Sequence, residues 1–255
     1  TVEELGLPEV VKRFTFHKNG LVLITGPAGC GKTTTMCSLV DIINGRDSVH
    51  ITTIEQPIEY LYENKVALIN QRQVGLHVKS FPLALKGALR QDSDIIVISD
   101  LRDLETIDLA LTAAETGHLV FSTMHTRNAV TTINRLIDAF PYEKQAQIAI
   151  TLAEVLRGII CQQIIPRVDH PGMVLATEIL VGTYSISNLI REGRTFQINS
   201  AIQTGRVMGM NLLDKSLLEL YNAGKISMED ALSRCSEKKL FEEEVPARRG
   251  GMLDV

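Results

Sequence analysis

Eight consecutive residues, Gly26-Pro27-Ala28-Gly29-Cys30-Gly31-Lys32-Thr33, satisfy the pattern GxxxxGK[ST] at every required position. Glycines at this spacing let successive backbone N–H groups turn inward around a phosphate. Lys32 then reaches the β- and γ-phosphates of a nucleoside triphosphate, and the Thr33 hydroxyl stands where Mg²⁺ needs an oxygen. Thr34 completes the expected nucleotide-binding stretch. The flanks agree. A β-branched apolar run at 21–25 precedes the loop, and a helical pattern at 32–44 follows it. That helix adds its own partial positive charge at the phosphate. ATP and Mg²⁺ are the expected cofactors.

Two further apolar runs end in acids. Asp94-Ile95-Ile96-Val97-Ile98-Ser99-Asp100 delivers Asp100 at the carboxyl end of a strand, the edge where open α/β sheets bind ligands. Asp100 there holds the Mg²⁺ shell, partly through water, or orients the attacking water; the alternative is a loop or helix-capping acid. Ile51-Thr52-Thr53-Ile54-Glu55-Gln56-Pro57-Ile58-Glu59 brings Glu55 and Glu59 to the same edge as candidate bases or metal-shell ligands, with an exposed acidic loop as the alternative.

A third run, 119–123, is flanked by His118 before it and His125 after it. Both are catalytic candidates, and His125 falls on the phosphate side. Lone histidines are more often structural. A zinc site is not supported, because no third or fourth ligand follows at metal spacing. Arg72, Arg90, Arg102 and Arg135 are candidates for stabilising the transferring phosphoryl from a neighbouring subunit.

These residues need a parallel sheet covered by helices. Short apolar runs at 21–25, 49–54, 94–98, 119–123 and 173–180 read as strands buried on both faces. Between them lie helical patterns. Leu104, Ile107, Leu111 and Ala114 recur at helical spacing, with Gly117 at the stop. A longer pattern at 142–164 carries Ile148, Leu152, Val155, Leu156 and Ile159 on one stripe and starts after Pro141. Beyond 181 the chain reads as short helices. One covers 211–223, and Ser227 with Asp230 resembles a capping box. The expected organisation is an α/β core at 1–182, a small helical C-terminal domain at 183–241 and a flexible tail at 242–255.

Composition narrows the class. Of 255 residues, 45% are hydrophobic and 22% charged, an ordinary globular balance. No apolar run reaches 18 residues, so no transmembrane helix is expected. The first residues lack the basic flank and apolar stretch of a signal peptide. The chain begins without Met, as a processed or excised chain does. A net charge of −4 argues against broad nucleic-acid binding. Cys30, Cys37, Cys161 and Cys235 contain no CxxC pair, so reduced cytosolic thiols are expected.

The motifs, in this order, resemble those of the secretion and pilus P-loop ATPases. Glu55-Gln56-Pro57-Ile58-Glu59 resembles the family's acidic box, Asp94 to Asp103 its Walker B, and Thr112 to Thr126 its histidine box. Ser185-Ile186-Ser187-Asn188-Leu189-Ile190-Arg191-Glu192 resembles the AIRNLIRE signature of the PilT branch, which drives type IV pilus retraction and twitching motility. Ser200-Ala201-Ile202-Gln203-Thr204-Gly205 and Gly209-Met210 are also similar to that branch. The four-cysteine motif usual in assembly and type II secretion motors is absent.

The resemblance implies a RecA-like core, a homohexameric ring and ATP hydrolysis converted to force. It also implies a peripheral position at the cytoplasmic face of a bacterial inner membrane. The implied partners are a platform protein in that membrane and, as a further option, a paralogous pilus ATPase. Two residues depart from the pattern. Relatives usually carry Glu where Asp100 stands and Asp where Gln56 stands, which points to slower hydrolysis. The PAS-like domain that precedes the core in relatives has no counterpart in this sequence. The alternatives are an extension or type II secretion motor, and a weakly hydrolysing nucleotide-binding accessory subunit.

Overall fold

The computed structural model describes residues 1–239 and Phe241; the tail expected at 242–255 lies outside the described residues. The elements run in the order α1 (Val10–Arg13), β1 (Gly20–Thr25), α2 (Lys32–Arg46), β2 (His50–Glu55), β3 (Leu68–Gln73), α3 (Phe81–Ala88), β4 (Ile95–Ile98), α4 (Leu104–Glu115), β5 (Leu119–Met124), α5 (Ala129–Asp138), α6 (Tyr142–Val155), β6 (Leu156–Pro166) and β7 (Met173–Val181). Helices α7 (Tyr184–Arg191), α8 (Ile198–Thr204), α9 (Leu213–Asn222) and α10 (Met228–Arg234) follow. Seven strands form one sheet in the order β3-β2-β4-β5-β1-β6-β7. All neighbouring pairs are parallel except β6 with β7.

Alternate side chains of the buried strands feed two cores. Leu21 and Leu23 of β1 point to one face with Ile96, Ile98 and Val120, where α3 to α8 pack. Val22 and Ile24 point to the other with Val97 and Phe121, where α1 and α2 pack. This makes the middle of β1 and all of β4 apolar, while β2 and β5 also bury Thr52, Thr53, Ser122 and Thr123. The faces also locate the ligand crevice. After β1 the chain turns to the α2 face, and after β5 to the α5 face. Adjacent strands whose connections leave in opposite directions open a crevice at their carboxyl ends. Here it lies between the loops that carry Lys32 and His125.

Two elements differ from expectation. The helix expected over 142–164 stops at Val155, and the chain passes straight into β6. Leu156 and Ile159 continue the helical stripe by spacing alone; a short apolar run fits either period. The pairing of β6 with β1 and β7 decides it. Gly158 belongs to that packing: a Cβ there would sit 2.2 Å from a ring carbon of Phe14, a fully buried side chain. Gly158→Ala is therefore expected to lower stability by about 1–3 kcal/mol through overpacking. That is about 2–4 °C of Tm per kcal/mol. Thermal melts check this, with Phe14→Leu expected to restore part of the loss.

The second element is β3, absent from the sequence reading. It is an edge strand with only Leu68 and Ile69 apolar before Asn70-Gln71-Arg72-Gln73. Its glutamines hold the acidic loop. Gln71 Oε1 accepts from Tyr62 N at 2.9 Å, its Nε2 donates to Tyr60 O at 2.8 Å, and Gln73 Oε1 accepts from Ile58 N at 3.2 Å.

The C-terminal segment is helical, and its apolar side chains enter two clusters. Ile186, Ile190, Ile198 and Ile202 of α7 and α8 join the first cluster beside the sheet. Leu213, Leu217 and Ala231 of α9 and α10 form a third cluster with Ile165 and Ala176 of the β6–β7 hairpin. Ser227 caps α10 by accepting from Asp230 N at 3.0 Å.

Glu178 on β7 bridges the two regions. Its carboxylate accepts from Ala129 N, at the start of α5, at 2.7 Å and from Leu213 N, at the start of α9, at 3.4 Å. Burial pushes its carboxyl above the ordinary value of 4.5, partly offset by these two bonds. The folded chain then holds this proton at pH values where the unfolded chain has lost it. Stability accordingly declines as pH rises from about 4.5 through the folded value. Glu178→Gln is expected to flatten that slope in denaturant titrations across pH 4 to 7, because the variant has no proton to lose.

Candidate functional site

The strand order sets the order of the site. At the carboxyl edge, β1 leads into the Lys32 loop, β5 beside it ends before His125, β4 beside that leads to Asp100, and β2 ends in Glu55. Lys32, Thr33, Glu55, Gln56, Glu59, Asp100, Arg102 and His125 line one cleft with Ala28 and Gly29.

The loop follows its glycines. Gly26, Gly29 and Gly31 have φ of +147°, +74° and +82°, a region that L side chains avoid. A Cβ on Gly26 would lie 2.3 Å from Gln162 O and 2.6 Å from Cys30 Sγ. Cys30 is buried, and burial pushes its thiol up, so it stays neutral and unreactive. Lys32 is also buried. Its Nζ donates to Gly26 O at 3.0 Å and Pro27 O at 2.9 Å, curling the side chain back over the loop.

His125 lies between the cation and the acid. Its Nδ1 is 3.5 Å from Lys32 Nζ, and its Nε2 is 3.2 Å from Asp100 Oδ2. A lysine ammonium only donates, so Nδ1 accepts and Nε2 carries the proton that faces the carboxylate. Asp100 Oδ2 also accepts from Arg102 Nε at 2.5 Å. Arg102, a candidate for service on a neighbouring subunit, thus pairs inside its own chain, with its side chain 70% exposed.

Asp100 Oδ1 is buried and takes no hydrogen bond. An orphaned carboxylate oxygen beside a phosphate loop suits a Mg²⁺ shell, and Thr33 lines the same cleft. The residues present therefore fit the expected ion: Thr33 and Asp100 would hold it, and it would neutralise charge on the phosphates. Glu55 is buried, and its Oε1 accepts from Thr53 Oγ1 at 2.6 Å and Gln71 Nε2 at 3.0 Å. Glu59 is exposed at the cleft mouth.

His118 is the candidate that the fold does not bring here. It precedes β5, and its carbonyl accepts from Gly20 N at the start of β1, the opposite edge of the sheet. Its Nδ1 lies 3.0 Å from Ala113 O, where it closes the end of α4. A strand of six residues separates its two ends by about 20 Å, too far for both histidines to serve one site in one chain. Arg72 pairs with Gln91 on the β3 edge, and Arg90 and Arg135 are exposed away from the cleft. Asp103 caps α4 by accepting from Thr106 N at 2.9 Å.

One residue at the site was missed. Gln162 on β6 is buried; its Nε2 donates to Cys30 O at 2.6 Å and its Oε1 accepts from Thr35 Oγ1 at 2.9 Å. A β6 strand adjoining β1 would have signalled it, but the segment read as helix.

A phosphate loop after β1, with acids delivered by the neighbouring strands β2 and β4 to the same edge, defines a P-loop nucleotide-binding protein with a RecA-like α/β core. Comparison with known proteins narrows this. A family model described as type II/IV secretion system protein matches residues 6–250. The type IV pilus retractation ATPase PilT of Pseudomonas aeruginosa is 50% identical over 241 residues, covering 94% of this chain and 70% of that protein. A twitching motility protein of Neisseria gonorrhoeae is 43% identical over 239 residues, covering 94% of this chain and 64% of that protein. A crystal structure of the pilus retraction motor PilT with bound ADP matches with a TM-score of 0.89 at 45% identity, covering 94% of this chain and 68% of that one. The chain belongs to the type II/IV secretion system protein family, in its PilT branch. It spans about two thirds of the length of these relatives.

Proposed function

We propose that this chain is the ATP-hydrolysing part of a motor that retracts type IV pili. The observation that carries the reading is the convergence of Lys32, His125, Asp100 and Glu55 from four strands on one edge, in a chain half identical to a retraction ATPase. ATP binds on the loop 26–34 with Mg²⁺ on Thr33 and Asp100, and Asp100 or Glu55 orients the attacking water. The working form is a homohexamer, in which arginines from a neighbouring subunit complete the site. It acts at the cytoplasmic face of the inner membrane on a platform protein. Among the described residues no helix is long and apolar enough to cross a membrane, which suits a peripheral position. A second reading, a weakly hydrolysing subunit that assembles with an active motor, is favoured by Gln56 and the short Asp100 at the cleft.

The deciding experiment deletes the gene, scores pilus retraction in cells, and measures ATP turnover by the full-length protein. Loss of retraction together with brisk turnover supports the motor. Retraction without the protein refutes it. Turnover that appears only with a second ATPase supports the accessory reading.

Helix α7 carries a separate prediction. Ile186 and Ile190 are buried, whereas Arg191 is exposed and its Nη1 donates to Asn188 Oδ1 at 2.9 Å. Exchanging Asn188 and Arg191 for alanine is expected to leave turnover within about twofold, as surface changes far from a site do, while retraction stops. Equal loss of both would mark the segment as structural.

A further inference from the structure

The register of β6 on β1 pairs Thr25 with Cys161, so Gln162 stands directly beside the start of the phosphate loop. It is 1% exposed, and its amide bonds to the loop and to the helix that follows it. One contact is with the Cys30 carbonyl, at 2.6 Å. A carbonyl only accepts, so the atom facing it is the amide nitrogen, and the amide oxygen is left for the Thr35 hydroxyl at 2.9 Å. The orientation of the side chain is thus set by chemistry. The same amide nitrogen is 3.4 Å from where a Cβ on Gly31 would lie, so it packs against the tightest turn of the loop.

The consequence lies in the peptide between Cys30 and Gly31. In a trans peptide the C=O and the following N–H point to opposite sides of the chain. A carbonyl held outward against β6 turns the Gly31 N–H inward, where the loop needs a donor for phosphate. With φ of +82° at Gly31, the backbone there has no Cβ to keep that peptide from rotating. If the carbonyl swung inward, an oxygen would face the phosphate instead.

We propose that Gln162 is a positioning residue for nucleotide binding: it holds the Cys30–Gly31 peptide so that the Gly31 N–H faces the phosphate. This rests on the reading of 26–34 as the ATP loop. Thr35 serves as the second anchor, fixing the amide from the first turn of α2.

The test is ADP titration calorimetry on the full-length protein, with thermal melts in the absence of nucleotide. Gln162→Met keeps the length and removes both bonds. It is expected to raise the ADP Kd about tenfold, as loss of one buried hydrogen bond does. Gln162→Glu places a carboxylate oxygen against the Cys30 carbonyl, and the Kd is expected to rise further still. Thr35→Val keeps the Cys30 bond and is expected to change Kd less than about threefold. Saturating turnover should fall less than affinity, because peptide orientation governs binding. The proposal is overturned if Gln162→Met binds ADP as wild type does, whatever its melting temperature. It is equally overturned if Thr35→Val and Gln162→Met lose affinity alike, in step with their melts. Lys32→Ala run alongside separates the two levels. If wild type and Lys32→Ala bind ADP equally, the loop reading itself fails; if only they differ, the fault lies with Gln162 alone.

Discussion

Lys32→Ala is expected to weaken ATP binding by about 100-fold or more, the size of losing a charge-assisted contact to phosphate in a partly buried site. The structure adds a second expectation. Lys32 Nζ donates to the Gly26 and Pro27 carbonyls, two acceptors that converge on one compact ammonium. A planar guanidinium spreads five fixed donors and does not reproduce two bonds that converge on one nitrogen, so Lys32→Arg should not restore binding. Calorimetric titration with ATP and Mg²⁺ decides. Affinity in Lys32→Ala within about threefold of wild type would remove the phosphate-loop assignment.

The Asp100 series has the next largest effect, on rate. Asp100→Asn removes the charge that Arg102 and His125 both address and is expected to cut turnover about 10²-fold or more. Asp100→Glu tests reach. Glu adds one methylene, about 1.5 Å, and a misplacement of about 1 Å at a catalytic group costs on the order of 10²-fold. Asp100 is buried just after β4, and its Oδ1 takes no hydrogen bond. Asp100→Glu is therefore expected to raise kcat with nucleotide affinity near the starting value, since loop backbone and Lys32 hold the phosphates. Steady-state turnover and affinity of the three forms check it. A brisk wild type that Asp100→Glu does not exceed would show that the sheet edge already suits the shorter acid.

Much of the site was legible because its geometry is local. Gly26 to Thr33 form a loop whose shape follows from three glycines, between a strand and a helix that the same stretch predicts. Asp100 and Glu55 were legible because a buried strand that ends in an acid must deliver it to the carboxyl edge. His118 and His125 show the limit. Both flank β5, and only the direction of that strand, set by parallel pairing with β1 and β4, sends one to Lys32 and Asp100 and the other to the far edge.

What the sequence determined by itself was therefore local: the glycine loop between a strand and a helix, and the acids at the ends of two buried strands. The tertiary structure alone decided who stands beside whom. The placement of β5 between β1 and β4 put His125 between Lys32 and Asp100. The pairing of β6 with β1 turned an expected helix into a strand and brought Gln162, 132 residues away in sequence, to Cys30. The glutamines of β3, too polar to announce a strand, became the ties of the acidic loop through the edge pairing with β2. Neighbouring strands in a parallel sheet are joined by long crossovers or are not consecutive in the chain at all, as with β1 and β5. Adjacency along the edge therefore depends on long-range pairing and packing, which no local run of residues encodes.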